Sequence, residues 1–288
     1  MNKPLVFGSF LIAALGALAA AVWLAFSSPA PQPVPVHALN QVIRNIDDVQ
    51  ALLTFAEKTL SEATDGLQKA REILVSGDSA NVGPGFRGSV ADALRTLESA
   101  QFNGRWLYPK DGEALRFTVT LAPDTPASVV ALSSRGFESS VTASLGDPAL
   151  GRLQRLGALD AVLQTLTLER ARVGAWTQRL EYAHRVNQIL ASGTSPSAQR
   201  RQLVQTVAAM EDRLYDLAIQ ASNGVYTDAD RQCLQGEFSA LVAELGRVQG
   251  QVGVVSVAAQ LPHASVLTQG DAEDTMVRLS RLLKQREA

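Results

Sequence analysis

A single cysteine, Cys233, leaves this chain without any intrachain disulfide. A lone thiol of this kind usually serves as a small buried residue in a helix. Histidine is almost as scarce. His37, His184 and His263 lie far apart, and none has a metal-ligating neighbour at helical spacing. No nucleotide-binding glycine loop, zinc spacing or Ser/His/Asp signature occurs. Asp47-Asp48 and the 227–230 loop lack the spacing of a calcium-binding loop, and helix capping accounts for the second of them. Charged residues make up 19% of the chain and the net charge is -2. No basic block is dense enough to follow a phosphate backbone, so nucleic acid is excluded as the expected partner. These absences argue against an enzyme, a metal centre or a cofactor.

What is present is heptad periodicity. From Val49 the apolar residues fall at Leu53, Ala56, Leu60, Ala63, Leu67, Ala70 and Leu74, with gaps alternating between four and three. A helix with this repeat presents one narrow seam and supercoils around a partner. The expected fold is therefore mainly α: a long antiparallel, coiled-coil-like helical bundle. Its first helix covers 38–76. The glycine-rich stretch 77–88 breaks it, and 89–99 returns to helix with Val90, Leu94 and Leu97 on one face. Gln101-Phe102-Asn103-Gly104 then forms a turn, since Asn-Gly suits positive φ. A small β-hairpin insert is expected over about 105–147, where 116–122 alternates and 128–132 and 139–145 hold small and β-branched residues.

Helical pattern resumes over 149–190, with Leu163 and Leu180 on its stripe, and would fold back antiparallel on the first helix. The segment 192–197 breaks it, and Ser197 is a candidate cap for the next helix. Two further seams come after it: Leu203, Val207, Met210, Leu214, Leu217 and Ala221, then Leu234, Phe238, Leu241, Leu245 and Val248. Stripes that long must be buried. The helix 150–190, the amphipathic tail 271–286 or a second molecule could cover them. The first is expected, because sharing within the chain needs only a short turn and association costs translational entropy.

Residues 4–26 are an uncharged apolar run, long enough to cross a bilayer as a helix, for which about 20 residues suffice. Lys3 precedes the run and no Lys or Arg occurs after it before Arg44, which places the N-terminus in the cytoplasm and the bulk outside it. A cleaved signal peptide is the alternative. The length of the run and the prolines at 29, 31, 33 and 35 favour an uncleaved anchor. The expected organisation is a transmembrane anchor (1–27), a proline-rich spacer (28–37) that stays extended, a helical module (38–190) and a second helical repeat (197–288) packed on it.

These residues resemble bacterial flagellins. Leu39-Asn40-Gln41, Arg44-Asn45, Leu60, Leu67-Gln68, Arg71-Glu72 and Gln101-Phe102-Asn103-Gly104 match the N-terminal rod region of that family, and the last tetrapeptide is the most specific part. Residues 170–181 are similar to the start of the flagellin C-terminal rod helix. Residues 210–248 look like a second copy of the N-terminal rod, through Asp216-Leu217-Ala218, Asn223-Gly224, Thr227–Arg231 and Glu237-Phe238. The resemblance implies a rod-like bundle whose hairpin region stands where flagellins carry surface domains. The terminal helices that build the flagellin filament have no counterpart here, so a filament subunit is not implied. The expected function is a bacterial membrane-anchored structural or scaffolding protein, single-pass in the inner membrane with its bulk periplasmic. It would act by helix–helix contact with itself or with another helical, flagellin-related protein. The expected interaction residues are the turn Gln101–Gly104 and the seam residues Leu53, Leu60, Leu67, Leu74, Leu163, Leu180, Leu214, Leu217, Phe238 and Leu241. An extracytoplasmic helical-bundle sensor or ligand-binding module is the alternative.

Overall fold

Six helices and two short β-hairpins account for most of the residues that the computed structural model describes, which are 34–76, 83–108, 114–123, 125–133, 151–253 and 264–287. The apolar run 4–26, the expected strand at 139–145 and His263 lie outside the described residues. The chain divides into two compact units, Met1–Pro35 and Val36–Ala288. All six helices and both hairpins belong to the second. Among the described residues no helix is long and apolar enough to cross a membrane.

Helix α1 (Val36–Ser76) buries Leu39, Val42, Ile46, Val49, Leu53, Ala56, Leu60, Ala63, Leu67, Ala70 and Leu74 along a single stripe. It begins two residues before the boundary expected from the proline spacer. Two hydroxyls on the same stripe are satisfied locally, Thr59 donating to the Phe55 carbonyl at 2.9 Å and Thr64 to that of Leu60 at 2.7 Å.

Helix α2 (Pro84–Ser99) starts inside the glycine-rich stretch, five residues earlier than the sequence pattern suggests. Pro84 explains the difference: at the first helical position its fixed φ fits and its missing N–H costs nothing. Gly66 lets α2 approach α1, since a Cβ there would stand 3.1 Å from the Cβ of Ala93.

Strands β1 (Gln101–Phe102) and β2 (Arg105–Trp106) form the first hairpin. The β region therefore opens at 101 rather than 105. Strands β3 (Leu115–Val119) and β4 (Ser128–Leu132) pair antiparallel, with Leu115 opposite Leu132 and Val119 opposite Ser128. Val119, Val130 and Leu132 point into the core against α1 and α3.

Helix α3 (Arg152–Ala191) is 40 residues long, about 60 Å at the α-helical rise. It runs antiparallel to α1. Arg71 meets Asp160 at 2.7 Å, Glu57 meets Arg170 at 2.7 Å and Asp47 meets His184 at 3.0 Å, while Arg152 reaches the Val75 carbonyl. Its length lets it serve two hydrophobic clusters. Leu159, Val162, Leu166, Val173, Leu180 and Ala183 belong to the one built on α1, and Val186, with half-buried Tyr182, Ile189 and Leu190, to the next.

That second cluster is completed by α4 (Pro196–Ser222), α5 (Asp228–Val252) and α6 (Gln269–Glu287). Ser195, not Ser197, caps α4, because Pro196 takes the first helical position and leaves the preceding serine to accept from the Ala198 N–H. Thr227 and Asp230 form a capping box at the start of α5, and Gly253 ends it at φ 64°. The last turn of α5 runs to Val252. Ala272 and Leu279 of α6 complete the cover over the α4 seam. Burial of that seam is thus divided between α3, α5 and the C-terminal helix, which the sequence pattern had credited with less.

Candidate interaction surface

The expected turn residues occupy a tight hairpin. Asn103 at φ 50° and Gly104 at φ 76° are both left-handed, as a two-residue primed turn requires. Gln101, Asn103 and Gly104 are exposed, while Phe102 is half-buried and meets Phe55 of α1 with ring centroids 6.3 Å apart. The turn is therefore nailed to α1 by one aromatic contact and offers its polar edge outward, beside Trp106, which is 49% exposed.

The expected seam residues are placed differently. Leu53, Leu60, Leu67, Leu74, Leu180, Leu214, Leu217, Phe238 and Leu241 are buried and Leu163 is half-buried, all against other parts of the same chain. A partner could reach them only by opening the bundle. The structure brings the first four and Leu180 into one cluster and Leu214, Leu217, Phe238 and Leu241 into the other; it does not bring the turn and the seams together on one surface.

Charge distinguishes the two clusters. The ion pairs of α1 with α3 are half-exposed and set register more than stability. Inside the second cluster Glu244 is fully buried and holds Arg247, whose Nε lies 2.9 Å and 3.0 Å from its two oxygens. Arg179 of α3 approaches the same carboxylate at 3.7 Å and stacks over Trp176 at 5.1 Å. Burial pulls the Arg179 guanidinium below its usual range, and Glu244 acts against that pull. Arg231 is buried at the start of α5 and donates to the Ala221 and Asn223 carbonyls, closing the end of α4. Periodicity alone does not find such groups. Glu244 and Arg247 stand three apart on one helix and were legible as a pair, but nothing local announces Arg179 as a third member.

A further polar group sits where β4 meets α3. Buried Glu169 accepts from the Ser133 N–H at 2.9 Å and from Arg172 at 2.5 Å. Burial raises its carboxyl above the ordinary range, opposed by those two bonds. Tyr108 is buried nearby, its hydroxyl without a hydrogen-bond partner among the described residues, and burial followed by the charges of Glu169 and Glu57 pushes that phenol upward.

Among the described residues, grooves open at two places on the surface of the unit. One, of about 470 Å³, runs between α3 and α5 past Trp176 and Arg179 over the small residues Ala175, Gly236 and Ala240. Cys233 lines it, half-buried, with its thiol pushed up by burial and by Asp230, which disfavours a reactive thiolate. The other, of about 450 Å³, lies at the α3–α4 corner between Arg185, Gln188, Gln202 and Gln205. His37 is exposed, and His184 is engaged by Asp47. Among the described residues no three His, Cys, Asp or Glu side chains converge as a metal site would require.

The arrangement defines a helical-bundle protein whose seams are spent on its own core and whose turn, grooves and ends remain outward. No protein-family model matches the chain. Over 36 residues the sequence is 53% identical to the flagellar filament core protein flaB2 of Brachyspira hyodysenteriae, a stretch that is 12% of this chain and 13% of that relative. The likeness to a flagellin is thus short, and the chain matches about an eighth of the relative's length.

Proposed function

We propose that the protein is a membrane-anchored structural scaffold related to flagellins, working by helix–helix contact rather than by catalysis. The observation that carries this reading is the short flagellin-like identity in a chain whose long helices are packed along heptad seams. The apolar run 4–26 supports an anchor in the bacterial inner membrane, with the bundle on the periplasmic side. Because the seams are internal, contact with a second copy or with a flagellin-related helix would use the outer faces and the Gln101–Gly104 turn. Chemical crosslinking of the full chain in membranes tests this. Crosslinked species that include a second copy or a filament-type protein support it; a chain that remains uncrosslinked to any protein overturns it.

The alternative, a periplasmic ligand-binding bundle, is favoured by the two grooves. A thermal-shift screen of the full chain in detergent separates them, since a ligand raises the melting temperature by mass action and a scaffold shows no small-molecule response.

A further inference from the structure

Two stretches at one end of the unit 36–288 carry arginines and no carboxylate. The antiparallel register that sets Asp47 against His184 brings Val36 level with the turn 192–195. The starts of α1 and α4 and the end of α3 therefore share one end of the bundle. No aspartate or glutamate occurs in 36–46 or in 182–210. The same two stretches carry Arg44, Arg185, Arg200 and Arg201, all exposed. None of the four has a carboxylate partner among the described residues; Arg185 only stacks over Tyr182, at 5.9 Å. Where α4 ends and α6 begins, Gly224 lies against Gln269, and that region carries Asp228, Asp230, Asp271, Glu273 and Asp274. Four exposed arginines without a carboxylate partner among the described residues thus gather at the end where α1 and α4 begin.

The groove at the α3–α4 corner belongs to the cationic end. Arg185, Gln188, Gln202 and Gln205 line it with hydrogen-bond donors, and among the described residues lining it Arg185 is the ionised one, while the Thr206 hydroxyl is spent on the Gln202 carbonyl. Arg185 stands six residues before Ala191, about 9 Å from the end of α3. Arg201 precedes Gln202, within reach of the same rim. An open groove of amide and guanidinium donors without an aromatic wall fits an anionic oxyacid and suits an apolar helix poorly. The chain preceding α1, which holds the proline spacer and the apolar run 4–26, joins the unit at this end.

We propose that this end is a docking surface for anionic phospholipid headgroups. The α3–α4 groove receives a headgroup phosphate on Arg185 and its neighbouring amides, and Arg44, Arg200 and Arg201 meet the surrounding surface charge. The inference rests on the anchored scaffold proposed for this protein for the source of the lipid, but its chemistry is separate. Basic residues near a bilayer are attracted to anionic lipid within a Debye length of the surface.

The test uses the full chain reconstituted into vesicles of phosphatidylcholine alone or mixed with phosphatidylglycerol. Hydrogen exchange is followed over 182–206, and carbonate extraction reports independently on the anchor. The expected result is slower exchange over 182–206 in the anionic vesicles only, reversed by salt. It should be lost in the triple variant Arg185→Gln, Arg200→Gln, Arg201→Gln, whose α1 exchange is unchanged. Each arginine is expected to be worth about fivefold in surface affinity and the three together roughly a hundredfold. Carbonate release of a chain that still shows this protection would refute the anchor and keep the docking surface. Equal exchange in both vesicle types overturns the proposal. So does protection that depends on protein concentration instead of lipid charge, which would make the end a contact between copies.

Discussion

The two hydrophobic clusters of this bundle are built from opposite kinds of material. The first, on α1, α2 and the opening two thirds of α3, is mostly leucine, valine and alanine, with the ion pairs that join α1 to α3 half-exposed and one buried carboxylate, Glu169, where β4 meets α3. The second, on the end of α3 with α4, α5 and α6, is shorter and encloses Glu244, Arg247 and Arg231. Half-exposed pairs are worth about 0–1 kcal/mol, whereas removing one partner of a buried pair costs about 3–5 kcal/mol by leaving the other charge unpaired. The clusters should therefore respond differently to the same kind of substitution. The first depends on the continuity of its seam and the second on the completeness of its charge network.

The largest effect is expected from Leu241→Asp. This residue is fully buried in the second cluster, and a lone carboxylate there has no partner. Because α3 serves both clusters, thermal unfolding followed by circular dichroism should show loss of the helices of both, not of α4–α6 alone. Next comes a matched pair. Glu244→Ala should cost about 3–5 kcal/mol in urea unfolding and Glu57→Ala about 0–1 kcal/mol. Equal losses would erase the contrast between the clusters. Gly104→Ala should cost about 1–2 kcal/mol, since its φ of 76° is left-handed, without altering the rest of the exchange pattern.

The smallest effect concerns pH. Burial raises the Glu169 carboxyl in the folded state above its unfolded value near 4.5. The folded state thus holds this proton more tightly than the unfolded state. Its contribution is present in full below about that value and is lost as pH rises through the higher, folded one. Glu169→Gln keeps an acceptor for the Ser133 N–H and should flatten this part of the stability–pH curve, with less than about 1 kcal/mol change at acid pH. A variant with the parent's pH dependence would show that Glu169 is not the group responsible.

Much of the bundle was legible in its leucines. The gaps of four and three from Val49 to Leu74 mark a stripe that the structure buries, and Asn103-Gly104 marks a turn that the structure bends. Periodicity works there because a helix buried on one side must repeat its apolar residues. The start of α2 escaped the pattern because a proline among glycines reads as a breaker, although the first helical position accepts it. The place of α6 escaped for another reason. Its stripe of Ala272 and Leu279 is narrow, and only the three-dimensional arrangement shows that α3 leaves part of α4 uncovered. The Arg179–Glu244 contact and the two grooves arise from residues on separate helices, which no spacing within one helix encodes.

The central claim is that α3 joins the two clusters into one cooperative bundle. Peptide-level hydrogen exchange of the full chain across a urea series tests it most directly. Peptides from the middle of α1, around Leu53–Leu60, are compared with peptides from α4, around Leu214–Leu217. A shared α3 predicts that both lose protection at the same urea concentration. Loss of protection in α4, α5 and α6 at lower urea, with α1, α2 and the first half of α3 still protected, would contradict it and leave two independent domains.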